Sequence, residues 1–428
     1  MKIKSIDAFE ILDSRGNPTV KAELITDQGI KAAAQVPSGA STGEHEALEL
    51  RDGDDERYRG LGVMKAIGNI QGKIGPALIG MEVTDQSGID KKMIELDASP
   101  NKSGLGANAT LGVSMAAVRA AAETKKTPLY RYVGELFGRP AGEELSMPEL
   151  MCNVINGGAH ADSGLDLQEY MLVPAGGRLV KEKVRILAEI YQALKDRLKK
   201  DGQVTAVGDE GGFAPKLKNN EEPLGYLIQA IEAAGYKPGQ EVGLALDAAA
   251  SEFFNKETGK YELKLDQREL DAKAMTDYYQ ELVSRYPIVI IEDGMAQDDT
   301  RGWKLLNNAL GGDHGRVNIM GDDFTVTNKK RLEQAVEEKA LNSVLIKLNQ
   351  IGTVTETLEC LRYAKEKGIR TAVSHRSGET TDDFIADFCA GAGAQWLKAG
   401  SVARGERVAK YNRLIEIERE LEMERGKA

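Results

Sequence analysis

The sequence predicts an α/β protein: a smaller N-terminal α+β domain followed by a C-terminal (β/α)8-type barrel of ββαα(βα)6 order. Three patterns predict it. The first fifty residues alternate apolar and polar side chains, the next eighty carry helical spacing, and beyond residue 138 short apolar runs alternate with helical stretches.

Taken in order, strand-like alternation covers 2–11, 19–26 and 30–36, broken by Arg15-Gly16-Asn17-Pro18 and Asp27-Gln28-Gly29. Residues 37–44 are small and have little to pack, which suits either a plain surface loop or a mobile lid. Helical spacing follows from 58 to 137, clearest over 63–78 and the alanine-rich 107–124. Gly138-Arg139-Pro140-Ala141-Gly142 then divides the chain into an N-terminal domain, 1–137, and a barrel, 138–428. The barrel opens with a strand pair, 151–154 and 167–173, and two successive helices, 180–200 and 224–234. Six apolar runs interleaved with helices come next, at 242–246, 288–291, 317–320, 344–346, 371–373 and 395–397. Such runs suit a parallel sheet covered on both faces, and two strands plus six close a barrel.

Composition narrows the function. A formal charge of −11 and a pI near 5.2 argue against a general nucleic-acid or anionic-membrane binder, which needs a basic face. Three cysteines make no disulfide framework. The start lacks an apolar signal core and no long apolar run follows, so a cytoplasmic protein without membrane insertion is expected.

Reactive groups in a βα barrel gather at the C-terminal strand ends. Those ends read Leu246-Asp247, Ile291-Glu292, Gly321-Asp322, Ile346-Lys347, Ser374-His375-Arg376 and Leu397-Lys398. A single aspartate there could simply cap the next helix. Three successive carboxylates repel one another unless a cation sits between them, and their hard oxygens suit Mg²⁺. Lysines beside such an ion lose charge more easily, so a pKa lowered toward neutrality and a base role are expected for them, unless they only neutralise the acids. Glu210, in Gly208-Asp209-Glu210-Gly211-Gly212, is a further candidate acid or a solvated turn residue. His160, Gln168 and Glu169 sit on the first strand pair, and His375-Arg376-Ser377-Gly378 suits a phosphate.

These residues fall in seven ordered segments that together resemble the enolase family nearly end to end. They are Ser14-Arg15-Gly16-Asn17-Pro18-Thr19-Val20, Val36-Pro37-Ser38-Gly39-Ala40-Ser41-Thr42-Gly43 and Asn156-Gly157-Gly158-Ala159-His160-Ala161. Gly208-Asp209-Glu210-Gly211-Gly212-Phe213-Ala214-Pro215 and Gly321-Asp322-Asp323-Phe324-Thr325-Val326-Thr327-Asn328 follow. Lys347-Leu348-Asn349-Gln350-Ile351-Gly352-Thr353 and Val373-Ser374-His375-Arg376-Ser377-Gly378-Glu379-Thr380 complete the set.

The resemblance implies reversible dehydration of 2-phosphoglycerate to phosphoenolpyruvate. It makes Asp247, Glu292 and Asp322 ligands of a first Mg²⁺, and Ser41 a ligand of a second that arrives with substrate. Lys347 becomes the base at C2 and Glu210 the acid at the C3 hydroxyl, with Glu169 nearby. Lys398, Gln168 and His375 contact the substrate, Arg376 and Ser377 take the phosphate, and His160 closes over it. A lysine or histidine base working with Mg²⁺ is an established pattern of this superfamily, so that pairing is inherited here. A homodimer or octamer of dimers is implied in the same way. Gly294 stands where the family commonly has proline, which predicts a looser loop after Glu292; Ser163-Gly164 and Ala399 also depart from frequent choices. His314 matches no motif and reads as an exposed loop residue. Two other readings stay open at this point: a superfamily racemase or acid-sugar dehydratase, which needs no phosphate site, and a non-catalytic protein on the inherited fold.

Overall fold

The computed structural model describes residues 1–39, 43–140, 142–312 and 317–426. Strands β1 (Ile3–Leu12), β2 (Pro18–Thr26) and β3 (Lys31–Gln35) form an antiparallel meander in sequence order. Its first turn is tied by Asp13, whose Oδ1 accepts from the backbone N–H of Arg15 (2.9 Å) and Asn17 (2.8 Å). Val20, Ala22 and Leu24 are fully buried on one face of β2, as a period of two requires. The helix Ala107–Thr124 covers that face, and its alanines and Gly112 let it approach closely.

The helix expected over 63–78 is broken in three: Met64–Asn69, a π-helical turn Ile70–Ile74, and Gly75–Leu78. Pro76 explains the break, because it has no N–H to donate to the turn before it. The apolar stripe Ile67, Ile70, Ile74 and Leu78 stays buried throughout.

Eight strands close the barrel: β4 (Glu149–Asn156), β5 (Glu169–Pro174), β6 (Val242–Asp247), β10 (Ile288–Glu292), β11 (Asn318–Gly321), β12 (Ser343–Ile346), β13 (Arg370–Ser374) and β14 (Trp396–Lys398). Strand β5 runs antiparallel to both neighbours, and the other adjacent pairs are parallel. That reversal follows from the direct link between β4 and β5, which carries no crossover helix. Helices Val180–Lys200 and Glu222–Ala233 separate β5 from β6, and each later strand leads to at least one helix, giving ββαα(βα)6.

One insertion was not foreseen. Strands β7 (Phe254–Asn255), β8 (Lys260–Leu263) and β9 (Arg268–Leu270) form a small separate sheet between β6 and helix Ala272–Arg285. They are too short to leave a periodic signal.

The barrel interior is a core of its own, formed by Met151, Met171, Val173, Ala245, Ile290, Met320, Leu345, Ala372 and Trp396. The larger apolar core lies between strands and helices. Helix Leu129–Phe137 packs on Phe384–Ala392 of the barrel. Ser38 and Gly378 exchange backbone hydrogen bonds of 2.7 and 2.8 Å, bringing the N-terminal loop to the barrel mouth.

Candidate active site

The period of two that fills the barrel also builds its mouth. Two residues beyond the interior residues Ala245, Ile290, Met320, Leu345, Ala372 and Trp396 stand Asp247, Glu292, Asp322, Lys347, Ser374 and Lys398. Each strand thus delivers one more inward side chain just above the apolar plug. Antiparallel β5 obeys the same rule in reverse, with Glu169 two residues before Met171 and in register with Asp247. On β4, Met151 leads to Asn153, a buried polar residue the sequence reading did not single out.

Buried ion pairs join these groups. Lys398 Nζ lies 2.8 Å from both oxygens of Glu292, 3.1 Å from Asp247 Oδ2 and 3.2 Å from Glu169 Oε2. Burial disfavours its charge, but Asp247, Glu169 and Glu292 outweigh burial and hold the ammonium well above the usual lysine range. Lys347 pairs with Asp322 Oδ2. Burial again opposes the charge, and Asp322 again wins, so the Lys347 pKa is raised. The expected lowering was argued for a lysine beside a bound dication; set by the chain's own groups alone, the direction is upward because the partner is a carboxylate.

On the other flank, His160 Nδ1 faces Glu210 Oε1 at 3.5 Å and Glu169 Oε1 at 3.6 Å. Asn153 Nδ2 donates to Glu210 Oε2 at 3.0 Å. Burial and the adjacent Glu210 push the Glu169 carboxyl well above the usual range. Burial also lowers the pKa of His160. Two carboxyls this close titrate as one pair, with Glu169 the member that keeps a proton.

The expected phosphate group is already engaged. Arg376 Nη1 donates to Glu46 Oε2 (2.8 Å) and Asn349 Oδ1 (2.9 Å), and Nη2 donates to Glu46 Oε1 (3.1 Å). Ser377 lies beside it at the same mouth. Gln168 donates to Asp247 Oδ2 at 3.4 Å, while its own buried Oε1 finds no hydrogen-bond partner among the described residues.

The glycines around Glu210 answer to closely approaching neighbours. A Cβ on Gly212 would fall 2.6 Å from Asn156 Oδ1, and one on Gly208 would fall 2.7 Å from the His160 carbonyl. Gly294 does not loosen its loop as expected. A Cβ there would meet Leu306 Cδ2 at 2.7 Å and Ile291 Cγ2 at 2.9 Å, so the turn is closely packed.

Two family models match in succession: the enolase N-terminal domain over residues 3–133 and the enolase C-terminal TIM barrel domain over 144–426. The chain belongs to the enolase family. It is 54 % identical over 419 residues to an enolase of a Nitratiruptor species, covering 98 % of this chain and 97 % of that protein. It is 52 % identical over 419 residues to an enolase of Helicobacter hepaticus, covering 98 % and 96 %.

Eleven of the thirteen residues singled out in the sequence line one narrow cavity: His160, Gln168, Glu169, Glu210, Asp247, Asp322, Lys347, His375, Arg376, Ser377 and Lys398. Glu292 joins them through Lys398. Ser41 lies outside the described residues, as does His314. On the C-terminal side of Ser41, Glu44 pairs with Lys256 (2.7 Å) and His45 with Asp298 (3.1 Å), tying the loop to the barrel.

A divalent cation fits this donor set. Carboxylate oxygens of Asp293, Asp322 and Asp323 lie within 4.8 Å of one another. Asp247, Glu292 and Asp322 are hard donors, ion-paired among the described residues with the ammonium groups of Lys347 and Lys398. Asp293 itself was missed by the sequence reading. Its oxygens accept from the backbone N–H of Asp322 and Asp323, both at 2.8 Å, so it shapes the turn that presents them.

Proposed function

We infer that the chain catalyses reversible dehydration of 2-phosphoglycerate to phosphoenolpyruvate in glycolysis and gluconeogenesis, a carbon–oxygen lyase reaction, with Lys347 as base and Glu210 as acid. The observation that carries the residue assignment is the two-residue step from barrel core to mouth. That step supports Lys347, Lys398 and Glu169 sharing one cavity, which Glu210 joins from the loop 208–212. Asp247, Glu292 and Asp322 would hold a first Mg²⁺, and Ser41 would help hold a second. A bound divalent ion supplies charge neutralisation at the substrate carboxylate, which makes the adjacent C–H more acidic.

The chain's own groups do the rest. Lys347 accepts the C2 proton as the neutral amine; its ammonium, which has no lone pair, must first release a proton to solvent, and loosening its ion pair with Asp322 permits that. Lys398 and Gln168 face the substrate carboxylate, and Lys398 offsets the charge that develops there. Glu210 protonates the departing C3 hydroxyl, drawing on the proton it shares with Glu169 across His160. Arg376 and Ser377 receive the phosphate end, Arg376 exchanging Glu46 for phosphate oxygens, His160 closes over it, and His375 lines the substrate cavity beside Glu210.

In this reading the chain divides after Phe137, where helix Leu129–Phe137 stops at Gly138 in the left-handed conformation (φ 96°). The protein assembles as a homodimer or an octamer of dimers in the cytoplasm. Phe9 and Leu12 on edge strand β1 are exposed and offer apolar surface to such an assembly. Among the described residues no helix is long and apolar enough to cross a membrane.

The deciding experiment follows phosphoenolpyruvate absorbance with and without Mg²⁺, beside Lys347→Ala. Chelator is expected to abolish turnover, and the variant to bind metal yet lose C2 proton abstraction. Ordinary rates from Lys347→Ala would refute the base assignment.

A further inference from the structure

Arg407, near the start of helix Gly405–Arg425, is fully buried, and it reaches two separate segments of the site. Its Nη1 donates to the Arg376 carbonyl (2.5 Å), and its Nη2 to the carbonyls of Ser377 (2.6 Å) and Asp209 (3.0 Å). These bonds hold loops together. A further contact does something loop packing does not require: Nη1 lies 2.5 Å from His375 Nδ1.

A guanidinium stays charged and has no acceptor. His375 Nδ1 must therefore be the accepting nitrogen, and the neutral ring carries its hydrogen on Nε2. Burial keeps the ring neutral, with its pKa well below the usual histidine value, and the charged groups facing it are Glu210, Arg407, Lys398 and Lys347. Nε2 lies 3.6 Å from Glu210 Oε2, too far for a hydrogen bond as it stands, and Asn153 donates to that same oxygen at 3.0 Å. The other oxygen, Oε1, faces His160 Nδ1 at 3.5 Å. An oxygen that already accepts from Asn153 and has an N–H beside it is a poor place for a proton.

Close approach is built into the backbone here. Gly400 has φ +69°, and a Cβ on it would lie 2.7 Å from the Glu210 carbonyl, 2.9 Å from Arg407 Cδ and 3.1 Å from His375 Cε1.

We propose that Arg407 is a positioning residue for proton delivery: it fixes the Nε2–H tautomer of His375, which with Asn153 reserves Glu210 Oε2 as an acceptor and leaves Oε1 to carry and release the proton. This deepens the reading of Glu210 as the acid and rests on it.

The test begins with the unaltered protein. It has four histidines, so a ¹⁵N-histidine spectrum is simple, and His375→Gln identifies the His375 signals. Protonated Nε2 with bare Nδ1 is expected, and a protonated Nδ1 overturns the proposal whether or not any Arg407 variant folds. In Arg407→Lys, the Nδ1–H tautomer should gain population and elimination should slow by about tenfold or more. Solvent deuterium exchange at C2 of 2-phosphoglycerate, which reports the base step, should change less than about threefold. A glutamine at 375 can still donate toward Glu210, so Arg407→Lys should cost less than about threefold in the His375→Gln background. Equal costs in both backgrounds, or C2 exchange slowed as much as elimination, would mean that Arg407 only packs loops. Glu210→Gln separates the two claims: ordinary elimination by that variant sinks the acid assignment while leaving the tautomer readable.

Discussion

Arg376 and Glu46, 330 residues apart, form a two-point ion pair between the barrel mouth and the N-terminal domain, with contacts of 2.8 and 3.1 Å. Both side chains are nearly inaccessible, at 3 % and 8 % exposure. A phosphate bound by Arg376 must therefore replace one anion by another. Glu46→Gln is expected to destabilise the free protein by about 3 kcal/mol, because a buried guanidinium loses its charged partner. The stabilisation given by 2-phosphoglycerate should rise in the variant, since phosphate then supplies the missing charge. Thermal unfolding with and without substrate measures this; an unchanged ligand-induced shift would remove Arg376 from the phosphate site.

Lys398 carries the opposite dependence. It is the cation shared by Glu292, Asp247 and Glu169, so Lys398→Met leaves three buried carboxylates facing one another. In chelator the variant should lose about 3–5 kcal/mol of stability. Added Mg²⁺ should restore more of it than it adds to the unaltered protein, although turnover stays low because the substrate carboxylate has lost its partner. Melting temperature followed against Mg²⁺ concentration tests this. Equal metal-induced shifts in the two proteins would place the cation away from these carboxylates.

The Glu169–Glu210 pair makes a prediction in pH. Glu210 raises the pKa of Glu169 by adding its charge to the cost of burial, so the pair retains a proton that neither acid would hold alone. Glu169→Gln removes that reservoir. Burial favours the neutral form of Glu210, but the positive charge gathered on it, that of Arg407 and Lys398 included, outweighs burial and holds the carboxyl well below the usual range. Elimination by the variant should fall about a hundredfold near neutrality and recover toward acid pH, while C2 exchange persists. A pH profile of kcat with its original optimum would show that the two carboxyls act independently.

The sequence made the strand ends legible because a barrel strand has one inward parity, and the last inward residue before each helix is the one at the mouth. Asp247, Glu292, Asp322, Lys347 and Lys398 all obey it, and the same parity would have found Asn153. Glu46 and Arg407 left no such trace, since their partners come from loops far away in the chain and only folding joins them. The insertion β7–β9 was silent because its strands are two to four residues long. Residue spacing reveals that charges gather, but not that Lys347 and Asp322 form a direct pair.

A last pair links the two halves far from the chemistry. Arg119, on helix Ala107–Thr124, donates from Nη2 to Asp382 Oδ1 at 2.8 Å and to Asp383 Oδ1 at 3.2 Å, and it also pairs with Asp382 Oδ2 at 2.6 Å. Asp382 Oδ2 accepts the backbone N–H of Gln35 as well, at 2.9 Å. Burial would raise the Asp382 pKa, but Arg119 outweighs burial and holds it below the usual aspartate value. A carboxyl with a depressed folded pKa adds stability above its unfolded pKa of about 3.9, and that stability is lost as pH falls through the folded value. Asp382→Asn should therefore cost about 3 kcal/mol near neutral pH, and the gap between the two proteins should close as pH falls through the depressed folded value. Denaturant unfolding of both across that range decides the matter. A gap that stays constant with pH would mean that the contact stabilises through shape and hydrogen bonds rather than through charge.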